Sequence, residues 1–176
     1  TEYLSDRQYL KLHPINKKFS TIIDNKLYLP MLFKDSPEFV PTYYYVTNKG
    51  RLTKLDLTLY SDQGLYDLCK VKKKLVLKPC TSTGGEGFFL LEWKNDNYYL
   101  NNKEIKQTEL ESFINSLENY LISEYISQHP YANAINPDTT NTIRLFVLLD
   151  NDKNVFIIRR ALHRFGRAGS FVDNIG

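Results

Sequence analysis

LVLKPCTSTGGEGFFLLEW, residues 75–93, is the stretch whose reading decides the fold. Leu75, Val76 and Leu77 form a short apolar run that predicts a buried strand. The run ends at Lys78-Pro79, and Thr81 to Gly87 follow as a small, hydroxyl-rich and glycine-rich loop. A second apolar run, Phe88 to Trp93, leaves the loop. Two strands joined this way form a flap whose backbone N–H groups can face an anion. Its glycines allow close backbone approach and φ > 0. Lys78 then stands at the mouth of the flap as a compact charge suited to phosphate. A P-loop is excluded, because there the lysine follows the glycines and a helix begins. G-x-G-x-x-G opening a helix is excluded too, because strand-like residues follow Gly87.

The chain has 176 residues, of which 42% are hydrophobic and 24% charged, enough for one core or two small ones. A net charge of +3, spread thinly apart from Lys70 and Lys72–Lys74, suits a small anionic ligand and falls short of a nucleic-acid-binding face. The lysine run precedes a buried strand and reads as a solvated approach segment. Cys69 and Cys80 are too few and too far apart for a disulfide framework or a zinc site, and a reducing, cytoplasmic location is expected. No apolar stretch approaches the roughly 20 residues of a membrane span, so membrane insertion is not expected. No nucleophile elbow or Cys–His pairing suggests hydrolase chemistry.

Working outward, Asp6 is expected to cap a short helix, and Ser20 to Phe33 reads as a second helix kinked at Pro30. Pro37 to Pro41 signals a linker. Thr42 to Val46 is a strand, Asn48-Lys49-Gly50 a turn, and Arg51 to Leu59 extended. Ser61 caps a helix reaching Lys70. Asn97–Leu100 and Lys103–Ile105 flank Asn101-Asn102 as a tight hairpin. Thr108 to Tyr120 is predicted as a helix with Thr108 and Glu111 as its capping box. Leu121 to Ser127 is a strand and Tyr131 to Thr140 an irregular connection. Asn141–Leu149 and Val155–Arg164 form a final hairpin. The class is α+β, mostly antiparallel.

The polar residues fall in a telling order. The loop K-P-x-x-x-x-G-G-x-G runs from Lys78 to Gly87. SEYISQHP follows at 123–130, INPDTTNTIR at 135–144 and HRFGRAGSFVDN at 163–174, with IIDNK upstream at 22–26. Together these resemble the ATP-grasp family, specifically its sugar-transfer-associated subgroup. The resemblance implies ATP held between two lobes: a helical segment at 1–41, a small lid lobe at 42–121 carrying the flap, and the start of a larger lobe at 122–176, C-terminally incomplete. It implies that Lys26 and Lys78 contact the ATP phosphates. Ser82, Thr83, Gly84, Gly85 and Gly87 would close over them, and Glu124, Tyr125 and Ile126 would read adenine through their backbone. Arg144 and Arg164 would face the γ-phosphate or an acceptor carboxylate as catalytic residues. Mg²⁺ is implied as a cofactor, with its carboxylate ligands expected beyond residue 176 and none assigned here.

The implied activity is a carboxylate–amine ligase working through an acyl phosphate, in cell-surface polysaccharide biosynthesis, with catalysis not expected of these residues alone. Its partners would be ATP and unidentified carboxylate and amine substrates, sugar-linked ones among them. Two alternatives stand beside it. One is a nucleotide-binding module without chemistry; the other is a glycan- or protein-interaction domain using tyrosine clusters such as Tyr43–Tyr45 and Tyr98-Tyr99.

Overall fold

The computed structural model describes residues 5–12, 19–56, 59–60, 62–82, 84–150 and 152–173. Two expectations, the Ser61 cap and the position of Thr83, lie outside these.

Three short helices open the chain: α1 (Asp6–Leu12), α2 (Ser20–Asp24) and α3 (Leu29–Leu32). The cap of α1 is Ser5, whose backbone N–H donates to Gln8 Oε1 (2.9 Å), so Asp6 lies inside the helix and is not its cap. The helix expected over 20–33 breaks at Asn25, which is extended (φ −94°, ψ 110°). Asn25 Oδ1 accepts from Leu27 N–H, competing with the helical bond and opening a 3₁₀ turn over Lys26–Tyr28. Pro30 sits in the first turn of α3, where its missing N–H costs nothing.

The main sheet follows. Its strands are β1 (Tyr43–Asn48), β2 (Arg51–Thr53), β3 (Leu59–Tyr60), β4 (Lys74–Pro79), β5 (Phe89–Lys94), β6 (Asn97–Leu100), β7 (Lys103–Ile105) and β8 (Glu118–Glu124). Their spatial order is β3-β2-β1-β8-β4-β5-β6-β7, and every neighbouring pair is antiparallel. The turns chosen from sequence hold. Lys49-Gly50 and Asn101-Asn102 all take positive φ, as tight hairpins of this hand require. Helices α4 (Asp62–Lys72) and α5 (Gln107–Ser116) cover one face. There Leu65, Cys69, Leu110 and Ile114 pack on Leu75, Leu77, Leu91 and Ile122. Each fully buried side chain of this size contributes about 1.5–3 kcal/mol. On the other face Leu121, Tyr43 and Cys80 meet Leu27 and Val40 from the N-terminal segment.

The helix expected over 108–120 is shorter than predicted. It starts one residue earlier, capped by Glu109, whose carboxylate accepts from Lys106 N–H (3.1 Å). It stops at Ser116 because Leu117 turns extended (ψ 131°) and its buried side chain starts β8. The expected irregular connection after His129 contains a one-and-a-half-turn helix, α6 (Pro130–Ile135), capped by His129 Nδ1 accepting from Tyr131 N–H. Strands β9 (Thr142–Asp150) and β10 (Val155–Arg164) then form a separate hairpin. The expected α+β, mainly antiparallel architecture is the one observed.

Candidate functional site

Alternation along β4 decides which side chains reach the site. Leu75 and Leu77 enter the helix-covered core, so Val76 and Lys78 face the opposite side. On β8 the partners of Val76 and Lys78 are Ser123 and Leu121. A pocket of about 180 Å³ lies on this side. Val76, Lys78 and Phe88 form one wall, and the segment Ser123–Ile126 forms its back. Phe171, Val172 and Asp173 close it from beyond β10. Two regions far apart in sequence thus face each other across one space.

Lys78 is mostly buried, and its Nζ lies 5.7 Å from the Tyr43 ring centroid. Burial, then the nearby positive charge of Lys26, holds it below the ordinary lysine range. No ion pair neutralises it among the described residues. A desolvated lysine without an acid partner is a site waiting for an anion. The Tyr43 hydroxyl beside it is buried without a hydrogen bond among the described residues, and burial pushes its pKa to about 12.

Lys26 reaches the start of the flap. Its Nζ donates to the carbonyls of Pro79 (3.0 Å) and Ser82 (2.9 Å), and its N–H donates to Cys80 O (2.9 Å). Lys26 therefore pins the start of the flap, and burial lowers its pKa also. The break at Asn25 is what brings Lys26 to this place.

The flap is docked. Gly84, Gly85 and Gly87 have φ of 71°, 83° and 69°. A Cβ on Gly85 would lie 2.8 Å from Val172 Cγ2, and one on Gly87 would lie 2.7 Å from the Tyr120 hydroxyl. At 85 and 87 glycine is thus required by contact as well as by φ, and at 84 by φ.

The segment at the back of the pocket is fixed by Thr42. Glu124 N–H donates to Thr42 O (2.9 Å), and Glu124 Oε1 accepts from Thr42 N–H (2.9 Å). Ile126 O accepts from Thr140 Oγ1 (3.2 Å), while Ile126 N–H makes no hydrogen bond among the described residues.

Neither arginine is in the pocket lining, but Arg164 is ion-paired at 2.9 Å to Asp173, which is, with both side chains largely buried. Thr142 donates to the second Asp173 oxygen from both its N–H and its hydroxyl. Arg144 stands apart, exposed on β9 opposite Leu162 and absent from the pocket lining. Beneath this lies a polar knot whose members all fall within the motifs at 123–130, 135–144 and 163–174. Gln128 Oε1 accepts from Asn141 N–H and Nδ2 (3.0 and 2.8 Å), and Asn141 Oδ1 accepts from Gly166 N–H (3.1 Å). Thr139 and Asn136, both buried, donate to Ser170 O and Gly166 O. The knot ties 136–141 to 166–170 and so aims Phe171–Asp173 at the pocket. Phe88, Phe171, Val172 and Asp173 line the pocket although no site role was expected of them; the last three fall within the motif at 163–174.

Among the described residues no three His, Cys, Asp or Glu side chains gather to hold a metal. Asp173, the one acid in the pocket besides Glu124, is already engaged by Arg164 and Thr142. The described residues therefore do not fit a Mg²⁺ site by themselves. Both cysteines are free and buried. No helix among them is long and apolar enough to cross a membrane.

Comparison with known proteins places this geometry. No curated protein and no solved structure matches the chain. The family described as sugar-transfer associated ATP-grasp matches it over residues 5–176. With that match spanning nearly the whole chain, and with an anion-ready lysine under a glycine flap, the chain belongs to the sugar-transfer associated ATP-grasp family of ATP-binding domains.

Proposed function

We propose that the pocket between Lys78 and Phe171–Asp173 is the ATP site and that the intact protein is an ATP-dependent carboxylate–amine ligase. The observation that carries this reading is the pairing of an unneutralised, desolvated Lys78 with a strand end, Glu124–Ile126, in one cavity. Adenine lies against Val76 and Phe171. Glu124 C=O and Ile126 N–H read its edge, because the Glu124 N–H and carboxylate are already bound to Thr42. The phosphates run along Lys78 beneath Gly84, Gly85 and Gly87, with Ser82 at the base of the flap.

Lys26 supports the phosphates with the donor left after its two carbonyl bonds, and its main work is to hold the flap. Arg164, steadied by Asp173, orients the γ-phosphate or the acceptor carboxylate. Arg144 meets substrate from its exposed place on β9. A substrate carboxylate oxygen attacks the γ-phosphorus and ADP leaves. The resulting acyl phosphate is then attacked by an amine, releasing phosphate. These residues contribute positioning and charge neutralisation, with no covalent role. The closed flap keeps water from the acyl phosphate.

We place the division of the chain at 1–41, 42–121 and 122–176, with β8 as the hinge joining the two lobes. Mg²⁺ accompanies ATP in this reading, with no ligand assigned among the described residues. A cytoplasmic role in cell-surface polysaccharide biosynthesis, with sugar-linked substrates, completes the proposal.

A thermal-shift titration with Mg·ATP tests it. At a hundredfold excess over Kd, binding stabilises by about 2.7 kcal/mol, which for a chain of this size is a rise of about 5 °C or more. Lys78→Ala should remove the shift while leaving the unliganded melting temperature within a few degrees. An undiminished shift in that variant takes Lys78 out of the site.

A further inference from the structure

A second cavity, of about 530 Å³, opens at the other side of Glu124 and Tyr125, within the size range of small-molecule sites. Tyr44, Lys72, Lys73, Lys74, Tyr125 and Asn133 line it. Its charge is lopsided. The one acid in the lining, Glu124, has an oxygen committed to Thr42 N–H, and Lys74 is balanced by Glu92 at 3.0 Å. Lys72 and Lys73 are exposed and join no ion pair among the described residues.

The lysines stand beside aromatic faces. Lys72 Nζ is 5.9 Å from the Tyr44 ring centroid and Lys74 Nζ is 5.0 Å from that of Tyr125. Lys73 carries a further mark. It ends α4 in the left-handed region (φ 68°), with its N–H donating to Cys69 O (2.8 Å), a position that glycine or asparagine fills with less strain. A charged side chain kept on strained backbone at a cavity wall points to a use for that charge.

We propose that this cavity binds a phosphorylated sugar. The phosphate sits between Lys72 and Lys73, the sugar ring lies against Tyr44 and Tyr125, and the Asn133 amide meets its hydroxyls. The cavity shares Glu124 and Tyr125 with the nucleotide pocket, on the other side of that segment, and the proposal stands whether or not ATP binds there. Lys78, Lys26 and the glycine flap take no part in it.

Isothermal titration of the full chain with glucose 1-phosphate, with glucose and inorganic phosphate in parallel, tests the proposal. The double variant Lys72→Gln/Lys73→Asn removes both charges, and asparagine tolerates the backbone at 73, so the fold is retained; a thermal melt checks this. The expected result is saturable one-to-one binding of glucose 1-phosphate, weaker by about tenfold or more in the double variant and unchanged in Lys78→Ala. Absence of binding overturns the proposal. So does equal affinity for inorganic phosphate, unchanged affinity in the double variant, or loss of binding in Lys78→Ala.

Discussion

The main sheet and the β9–β10 hairpin are written in similar residues and have opposite surroundings. In the sheet, Leu75, Leu77, Leu91, Leu121 and Ile122 are wholly buried. In the hairpin, Ile143, Phe146, Leu148, Phe156 and Ile158 are all exposed, Phe156 to 77%. Apolar runs pointed to strands in both places. Whether a strand is buried depends on what packs against it, and helices α4 and α5 pack only on the sheet. The hairpin is anchored differently, at its base, by Arg164, Thr142, Asp173 and the polar knot around Asn141. One region is thus held by area removed from water and the other by a few directional bonds.

Substitution in each region sharpens this contrast. Leu77→Ala removes a wholly buried side chain and should cost about 2–5 kcal/mol, read from urea unfolding. Phe156→Ser in the hairpin should change stability by less than about 0.5 kcal/mol. A cost for Phe156→Ser as large as that for Leu77→Ala would break the comparison. Asp173→Ala strips the hairpin base of its charged hydrogen bonds and should cost about 1.5–3 kcal/mol. That loss should be accompanied by faster amide exchange in β9 and β10, with β4 and β8 unaffected. A uniform change across both regions would show that the hairpin base is not an independent anchor.

A finer contrast lies where the two regions touch, at the flap. Gly85→Ala meets both positive φ and Val172, whereas Gly84→Ala meets only the φ penalty of about 1–2 kcal/mol, because nothing lies within 4 Å of its would-be Cβ. Gly85→Ala should therefore destabilise by about 1 kcal/mol more than Gly84→Ala and weaken ATP binding more strongly. Equal effects would mean that the flap does not lean on Val172.

The residues that were legible in the sequence share a property: their chemistry is local. Lys49-Gly50 and Asn101-Asn102 fix their own hairpins, because left-handed backbone suits few residue types. Lys78 and the glycines after it mark a strand followed by a flexible loop. The residues that were not legible owe their roles to distant partners. Asn25 breaks a helix through its own side chain, yet only Pro79, Ser82 and Cys80 explain why Lys26 must stand where that break leaves it. Asp173 owes its place to Arg164 and Thr142, 9 and 31 residues away in the chain.

By itself, then, the sequence determined the strands, the turns, the flap and the family, since each follows from side-chain period, backbone preference or ordered motifs. Only the tertiary structure decided that Lys78 has no counter-charge among the described residues, that Lys26 serves the flap, and that Phe171–Asp173 complete the pocket. Burial and charge balance are sums over neighbours distant in the chain, and a sequence names those neighbours only after it has folded.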